Sequence, residues 1–112
     1  MRRARPAARG RAAPAGRAWT FLSNHGHVLV CIASDPEVRL RDVAVAVGIT
    51  ERAVLKILAD LAAAGIVERR REGRRNRYRL NADQPLRHPL EGHRSVAALL
   101  AMVLGRAPKR AC

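Results

Sequence analysis

Seven arginines crowd into one short stretch: Arg69, Arg70, Arg71, Arg74, Arg75, Arg77 and Arg79 all lie between Glu68 and Leu80. A guanidinium is permanently charged and presents its donors in a planar fork. Such a cluster therefore suits phosphate oxygens and the negative potential of a nucleic-acid groove. Within it, Arg70, Arg71, Arg74, Arg75, Asn76 and Arg77 are the candidate contacts to a backbone or minor groove. Upstream, Thr50, Glu51, Arg52, Leu55 and Lys56 form a second, mixed set. Arg52 can meet guanine with two hydrogen bonds, worth ~1–3 kcal/mol of discrimination. Glu51 can accept from a cytosine amino group, Leu55 can touch a thymine methyl, and Lys56 suits a phosphate. The chemistry on offer is recognition of a polyanion.

Other chemistries fail on residue type or spacing. There is no Gly-rich phosphate loop, no nucleophile–base pair and no paired carboxylates in a plausible cleft, so no enzyme is expected. His25-Gly26-His27 puts two imidazoles on different faces of a helix, and His88 and His93 fall in a connection and at a helix start. A zinc site needs about four ligands in closed geometry, so neither a metal nor any other cofactor is expected. Cys31, inside an apolar stretch, reads as a buried small hydrophobe, and Cys112 as a free, mobile thiol.

The elements that must position the two polar sets follow from apolar spacing and punctuation. Order should begin near Trp19. Ser23 is a good N-cap, and Val28, Leu29, Cys31 and Ile32 suit the buried face of a helix ending near Asp35-Pro36. Leu40, Val43, Ala44 and Val47 trace a second helix over residues 40–47, which Gly48 closes in a left-handed conformation. Thr50 caps a third helix running to about Ala64, with Ile49 and Val54 placed as a hydrophobic staple and Gly65 as the stop. Ile66-Val67 then opens an extended run to Arg71, Glu72-Gly73-Arg74 is a turn, and Arg77-Tyr78-Arg79-Leu80 alternates polar with apolar: a β-hairpin. Residues 81–92, with two prolines, read as a connection, and Ser95 opens a last helix bearing Val96, Leu99, Leu100, Val103 and Leu104.

The predicted fold is mainly α with a small β-hairpin, an α+β class: a winged helix-turn-helix with one flanking helix on each side. Its layout is a disordered basic arm over 1–17, the winged domain over 18–82, a connection and C-terminal helix over 83–104, and a flexible tail over 105–112. Helix two crosses helix three through Val43, Val47, Val54, Ile57, Leu58 and Leu61, which leaves the opposite face of helix three to enter a major groove. The last helix reads either as a lid on the core or as a dimer seam. A homodimer would set two recognition helices about one DNA turn apart, roughly 34 Å.

The totals agree without deciding the matter. The 112 residues hold 22 Lys plus Arg against 9 Asp plus Glu, a net charge of +13. A GC-rich genome also yields an arginine- and alanine-heavy chain, so the placement of charge says more than its sum. No apolar run approaches the ~20 residues that span a bilayer. The start of the chain lacks the apolar middle of a secretory signal, so a cytoplasmic protein with no membrane partner is expected.

The run Gly48-Ile49-Thr50-Glu51-Arg52-Ala53-Val54-Leu55-Lys56-Ile57-Leu58, followed by Leu61-Ala62-Ala63-Ala64-Gly65-Ile66-Val67, resembles the recognition helix and wing entry of winged-helix repressors. The ArsR (metal-responsive) and MarR (multiple-drug-response) superfamilies share this pattern, and Arg70 to Leu80 resembles their wing. The likeness implies a double-stranded DNA-binding regulator, usually a homodimer on a pseudo-palindromic site. It places Thr50, Glu51, Arg52, Leu55 and Lys56 toward the groove, and Gly73 to Arg77 at the wing tip. Unlike ArsR sensors, the chain has no Cys-x-Cys site in residues 40–47, and unlike MarR proteins it lacks long terminal helices. The sequence assigns no effector. An RNA-binding or protein-interaction winged helix stands as the alternative. RNA recognition favours exposed aromatics, whereas Trp19, Phe21 and Tyr78 read as core-facing.

Overall fold

Three hydroxyls decide where three helices start. Ser23 Oγ accepts from the Gly26 amide (3.4 Å), Thr50 Oγ1 from Ala53 (3.0 Å) and Ser95 Oγ from Ala98 (3.2 Å). Each takes up one of the amide donors that a helix N-terminus leaves without an intrahelical partner. The computed structural model describes residues 19–105, and in it these caps open α1 (Asn24–Ser34), α3 (Glu51–Ala63) and α4 (Val96–Leu104). Between them α2 (Leu40–Val47) starts at Arg39 with no side-chain cap. The basic arm expected over 1–17, and the tail with Cys112 beyond Gly105, lie outside the described residues.

The helix ends are as specific as the starts. Gly48 holds φ at +87°, and its amide and that of Ile49 both return to the Ala44 carbonyl (2.8 and 3.0 Å), which makes the tight turn into α3. At the end of α3 the Gly65 amide bonds to Ala62 O and the Ile66 amide to Leu61 O, while Leu61 and Ile66 are both buried. Ile66 is thus spent on closing the helix. The first strand consequently begins one residue later than the apolar pattern suggested, as β1 (Val67–Glu72) paired antiparallel with β2 (Arg75–Leu80). Glu72 pairs with Arg75, so the turn shrinks to Gly73-Arg74, with Gly73 at φ +64° as primed hairpin turns require.

Four helices and the two-stranded hairpin surround one core, giving an α+β, winged-helix-like layout with a flanking helix on each side of α2–α3–hairpin. The core draws Val28 and Ile32 from α1, Val43 from α2, Val54, Ile57, Leu58 and Leu61 from α3, Tyr78 from β2, and Val96 and Leu100 from α4. Cys31 is half-buried at its edge, and burial pushes its thiol above the ordinary value. Backbone bonds tie the remaining pieces down. Tyr78 N donates to Pro36 O (2.9 Å), strapping the segment after α1 beside β2. The two-proline connection contains no helix, yet it folds back on the start of α4, where Pro85 bridges Ser95: Ala97 N to Ala82 O, Val96 N to Gln84 O and Leu86 N to Arg94 O are each 2.9 Å. No helix among the described residues is long and apolar enough to cross a membrane.

One sequence expectation is overturned. Trp19 and Phe21 do not face the core: they are 78% and 90% exposed and meet each other edge to face, ring centroids 4.9 Å apart. The Thr20 hydroxyl donates to the Leu22 carbonyl (2.5 Å), bending the chain ahead of the Ser23 cap so that Leu22, not its aromatic neighbours, turns inward. Tyr78 does lie in the core, 2% exposed.

Candidate nucleic-acid interface

The interface is built on what α3 does not bury. Val54, Ile57, Leu58 and Leu61 form its inner face, against which α2 and α1 pack. At 100° per residue the opposite side of the N-terminal half belongs to Arg52 and Lys56, flanked by Glu51 and Leu55, all exposed. The C-terminal half of the same side carries Ala59, Ala62 and Ala63, small and without hydrogen-bonding groups. Hydrogen-bonding and charged groups on this side are therefore confined to the first two turns. Glu51 and Arg52 make no side-chain hydrogen bond or ion pair among the described residues, so both charged heads face solvent without a partner there.

Thr50 and Lys56 are already committed in part. The Thr50 oxygen accepts the Ala53 amide as the helix cap and keeps only its O–H proton to offer a phosphate. Thr50→Ala is expected to cost about 1 kcal/mol of stability, since one amide loses its acceptor. A calorimetric melt should show this as a fall in Tm of roughly 4–8 °C. Lys56 Nζ lies 3.9 Å from Asp60 Oδ2, and His25 Nε2 lies 2.8 Å from that same oxygen. The His25 hydrogen bond holds the Asp60 carboxyl below its usual range, helped by the Lys56 charge. This link from the start of α1 to α3 escaped the sequence reading, because its partners are 35 residues apart.

The hairpin sorts its arginines onto two faces. Cross-strand partners share a face, so Arg69, Arg71, Asn76, Tyr78 and the apolar pair Val67–Leu80 lie together, and Arg70, Arg75, Arg77, Arg79, Glu68 and Glu72 lie on the other. Arg69 and Asn76 act on the Tyr78 phenol, whose proton burial holds above the usual tyrosine range. Arg71 Nε donates to Gly73 O (3.4 Å), and Arg70 Nε is 4.0 Å from Glu68. Arg77 differs from its neighbours. Its Nη1 lies 3.4 Å from Glu37 and 3.5 Å from Glu72, and its buried Nε has no partner. Arg77, one of the candidate contacts, is thus partly engaged within the fold, where it links the hairpin to the segment after α1. Arg74, Arg75 and Arg79 are exposed and make no ion pair or side-chain hydrogen bond among the described residues.

Charge follows the same division. Residues 67–80 hold seven arginines and two glutamates, while the rest of 19–105 holds six basic and seven acidic residues. The positive field of the described domain is therefore a property of the hairpin. A genome-wide arginine bias gives no reason for that placement. No group of three or more His, Cys, Asp or Glu side chains placed to hold a metal occurs among the described residues.

The elements define a winged-helix-like α+β domain with an arginine-rich hairpin and an exposed polar face on the N-terminal half of α3. No protein family, curated protein or solved structure matches the chain.

Proposed function

We propose that this protein is a sequence-specific double-stranded DNA-binding transcriptional regulator acting in the cytoplasm. The first two turns of α3 enter the major groove, where Arg52 and Glu51 read base edges and Leu55 supplies an apolar contact. Arg74, Arg75 and Arg79, together with Arg70 and Arg71, neutralise flanking phosphates or line the adjacent minor groove. The observation that carries this reading is the coincidence of a free polar face on α3 with a hairpin that holds the domain's excess positive charge. The resemblance of residues 48–80 to ArsR and MarR recognition helices and wings supports it.

Exposure of Trp19 and Phe21 lends weight to the RNA alternative, since exposed rings can stack on bases. Their position argues otherwise. Phe21 shares a groove with Asp60, Ala63 and Ala64, at the far end of α3 from Glu51. Along a 13-residue helix those ends are about 18 Å apart. The rings thus sit away from the polar face that a nucleic acid would meet.

Selection from a random duplex library at two salt concentrations tests the proposal. An enriched motif is expected, and Arg52→Ala should relax it at one position with a loss of ~1–3 kcal/mol of discrimination. Binding without any motif that disappears with added salt would reduce the arginines to an electrostatic coat.

A further inference from the structure

The direction of hydrogen bonding along the hairpin leaves one of its two edges open. Tyr78 N donates to Pro36 O, away from β1, so Tyr78 and its partner Arg69 are a pair whose backbone groups point out of the hairpin. Bonded and unbonded pairs alternate along an antiparallel ladder. Asn81 N meets Ile66 O at the base, which fixes the same phase: Glu68, Arg70 and Glu72 bond inward to β2. Val67, Arg69 and Arg71 therefore turn their N–H and C=O groups outward. On β2 the segment after α1 meets that outward row at Tyr78. On β1 no strand, turn or helix end bonds to it among the described residues, and five of its six residues are exposed.

An open edge is a template for another extended chain, and the side chains along it say which kind. An added strand alternates its own side chains between the two faces, as β1 does. Arg69 and Arg71 lie on one face, and Arg70 lies on the other with Arg77 across the ladder. Three consecutive residues of an added strand would thus each meet an arginine. Glu68 and Glu72 bracket these three, so acidic residues fit the centre of the strand and not its flanks. Arg71 commits only its Nε, to Gly73 O, and Arg70 Nε stays 4.0 Å from Glu68. A guanidinium has five N–H donors, so both keep most of theirs.

Two other occupants fit poorly. A second β1, laid antiparallel in the fully overlapping register, would set Arg70 against Arg70, Arg69 against Arg71 and Glu68 against Glu72. Like charge would face like at each of these positions. Duplex phosphates offer acceptors but no donors, and would leave the outward carbonyls of Val67, Arg69 and Arg71 unmatched.

We propose that the outer edge of β1 receives an extended segment of a partner protein, with three consecutive acidic residues opposite Arg69, Arg70 and Arg71 and uncharged β-branched residues on either side. The contact uses backbone that DNA binding leaves idle, so it stands or falls separately from that reading. Where DNA binding also holds, Arg70 and Arg71 are shared, and the added strand competes with the duplex for the hairpin.

Nuclear magnetic resonance titration of the full chain with a short capped peptide, three glutamates flanked on each side by valine and threonine, tests the proposal. The amides of Val67, Arg69 and Arg71 should move downfield as they gain acceptors. Those of Glu68, Arg70 and Glu72, already bonded to β2, should move least. Glutamine in place of the glutamates should weaken binding roughly tenfold. N-methylation removes amide donors without changing charge: on one alternate set of peptide residues it should abolish binding, and on the other it should be tolerated. Arg71→Pro removes an outward amide where an edge strand accepts proline, and should cost more than Arg71→Ala. A glutamate peptide that does not bind overturns the proposal. So do two methylated peptides that bind as well as the parent, since the arginines would then act as charge alone. Duplex DNA titrated separately keeps the two readings apart: a chain that binds duplex and not peptide retains the first and loses this one.

Discussion

Replacing Arg74, Arg75 and Arg79 together with alanine should weaken binding to every duplex alike, lowering the slope of log K against log salt by up to ~2.7 in magnitude. Each phosphate neutralised on duplex DNA releases counterions worth about 0.9 in that slope, and these are the three wing cations with no partner of their own among the described residues. The motif recovered by selection should stay the same, because phosphate contacts fix position and orientation while base contacts specify. The fold should barely notice, since exposed, unpaired side chains cost within about 0.5 kcal/mol when truncated. Arg77→Ala makes the contrast. It leaves Glu37 and Glu72 without the guanidinium between them, so lost binding should come with a lower Tm. Fluorescence anisotropy titrations at several salt concentrations, paired with melting curves, separate the two cases. An unchanged slope in the triple variant would mean that these three arginines do not touch the duplex.

The difference between Arg77 and its neighbours marks how far a one-dimensional reading reaches. Elements governed by local rules were readable: Ser23, Thr50 and Ser95 cap the helices they were expected to cap, and α2 runs from Leu40 to Val47 as its apolar spacing implied. The exposed set Glu51, Arg52, Leu55 and Lys56 was readable for the same reason, because helical periodicity alone fixes which residues oppose Val54, Ile57, Leu58 and Leu61. Seven arginines within residues 69–79, by contrast, look alike in sequence. Their roles separate only once the register pairs Arg70 with Arg77 and the Tyr78–Pro36 bond brings Glu37 alongside.

Long-range partners account for the other differences. His25 and Asp60 meet because α1 crosses the end of α3, and nothing within either helix announces the other. Trp19 and Phe21 were expected inside on composition, since large aromatics usually stabilise cores. A turn made by Thr20 and Leu22 overrides that preference and leaves the rings on the surface. Ile66 shows the same competition on a smaller scale: its β-propensity favours a strand, and the closure of α3 through Leu61 O takes it first.

Leu100→Ala should destabilise the whole domain by ~2–5 kcal/mol. Leu100 is fully buried, and with Val96 it carries the contribution of α4 to the same core that Val28, Ile32 and Val54 fill. Removing its branched end costs the transfer free energy of the lost carbons and leaves a cavity that a close-packed core closes only in part. Domains of this size have ~5–15 kcal/mol of stability in all, so the loss is a large fraction, and Tm should fall by roughly 10 °C or more. The shape of the transition matters as much as its midpoint. The backbone bonds joining residues 82–86 to 94–97 bind α4 to the end of the hairpin, and α4 packs on α1, so the variant should still unfold in one step. A detachable α4 would instead leave the α1–α3 unit melting at the parent temperature after an earlier loss of helical signal. Far-ultraviolet circular dichroism followed through the melt distinguishes these outcomes. The single-step result would make α4 part of the same cooperative unit as α3 and the hairpin, held there through α1 and the 82–97 backbone bonds.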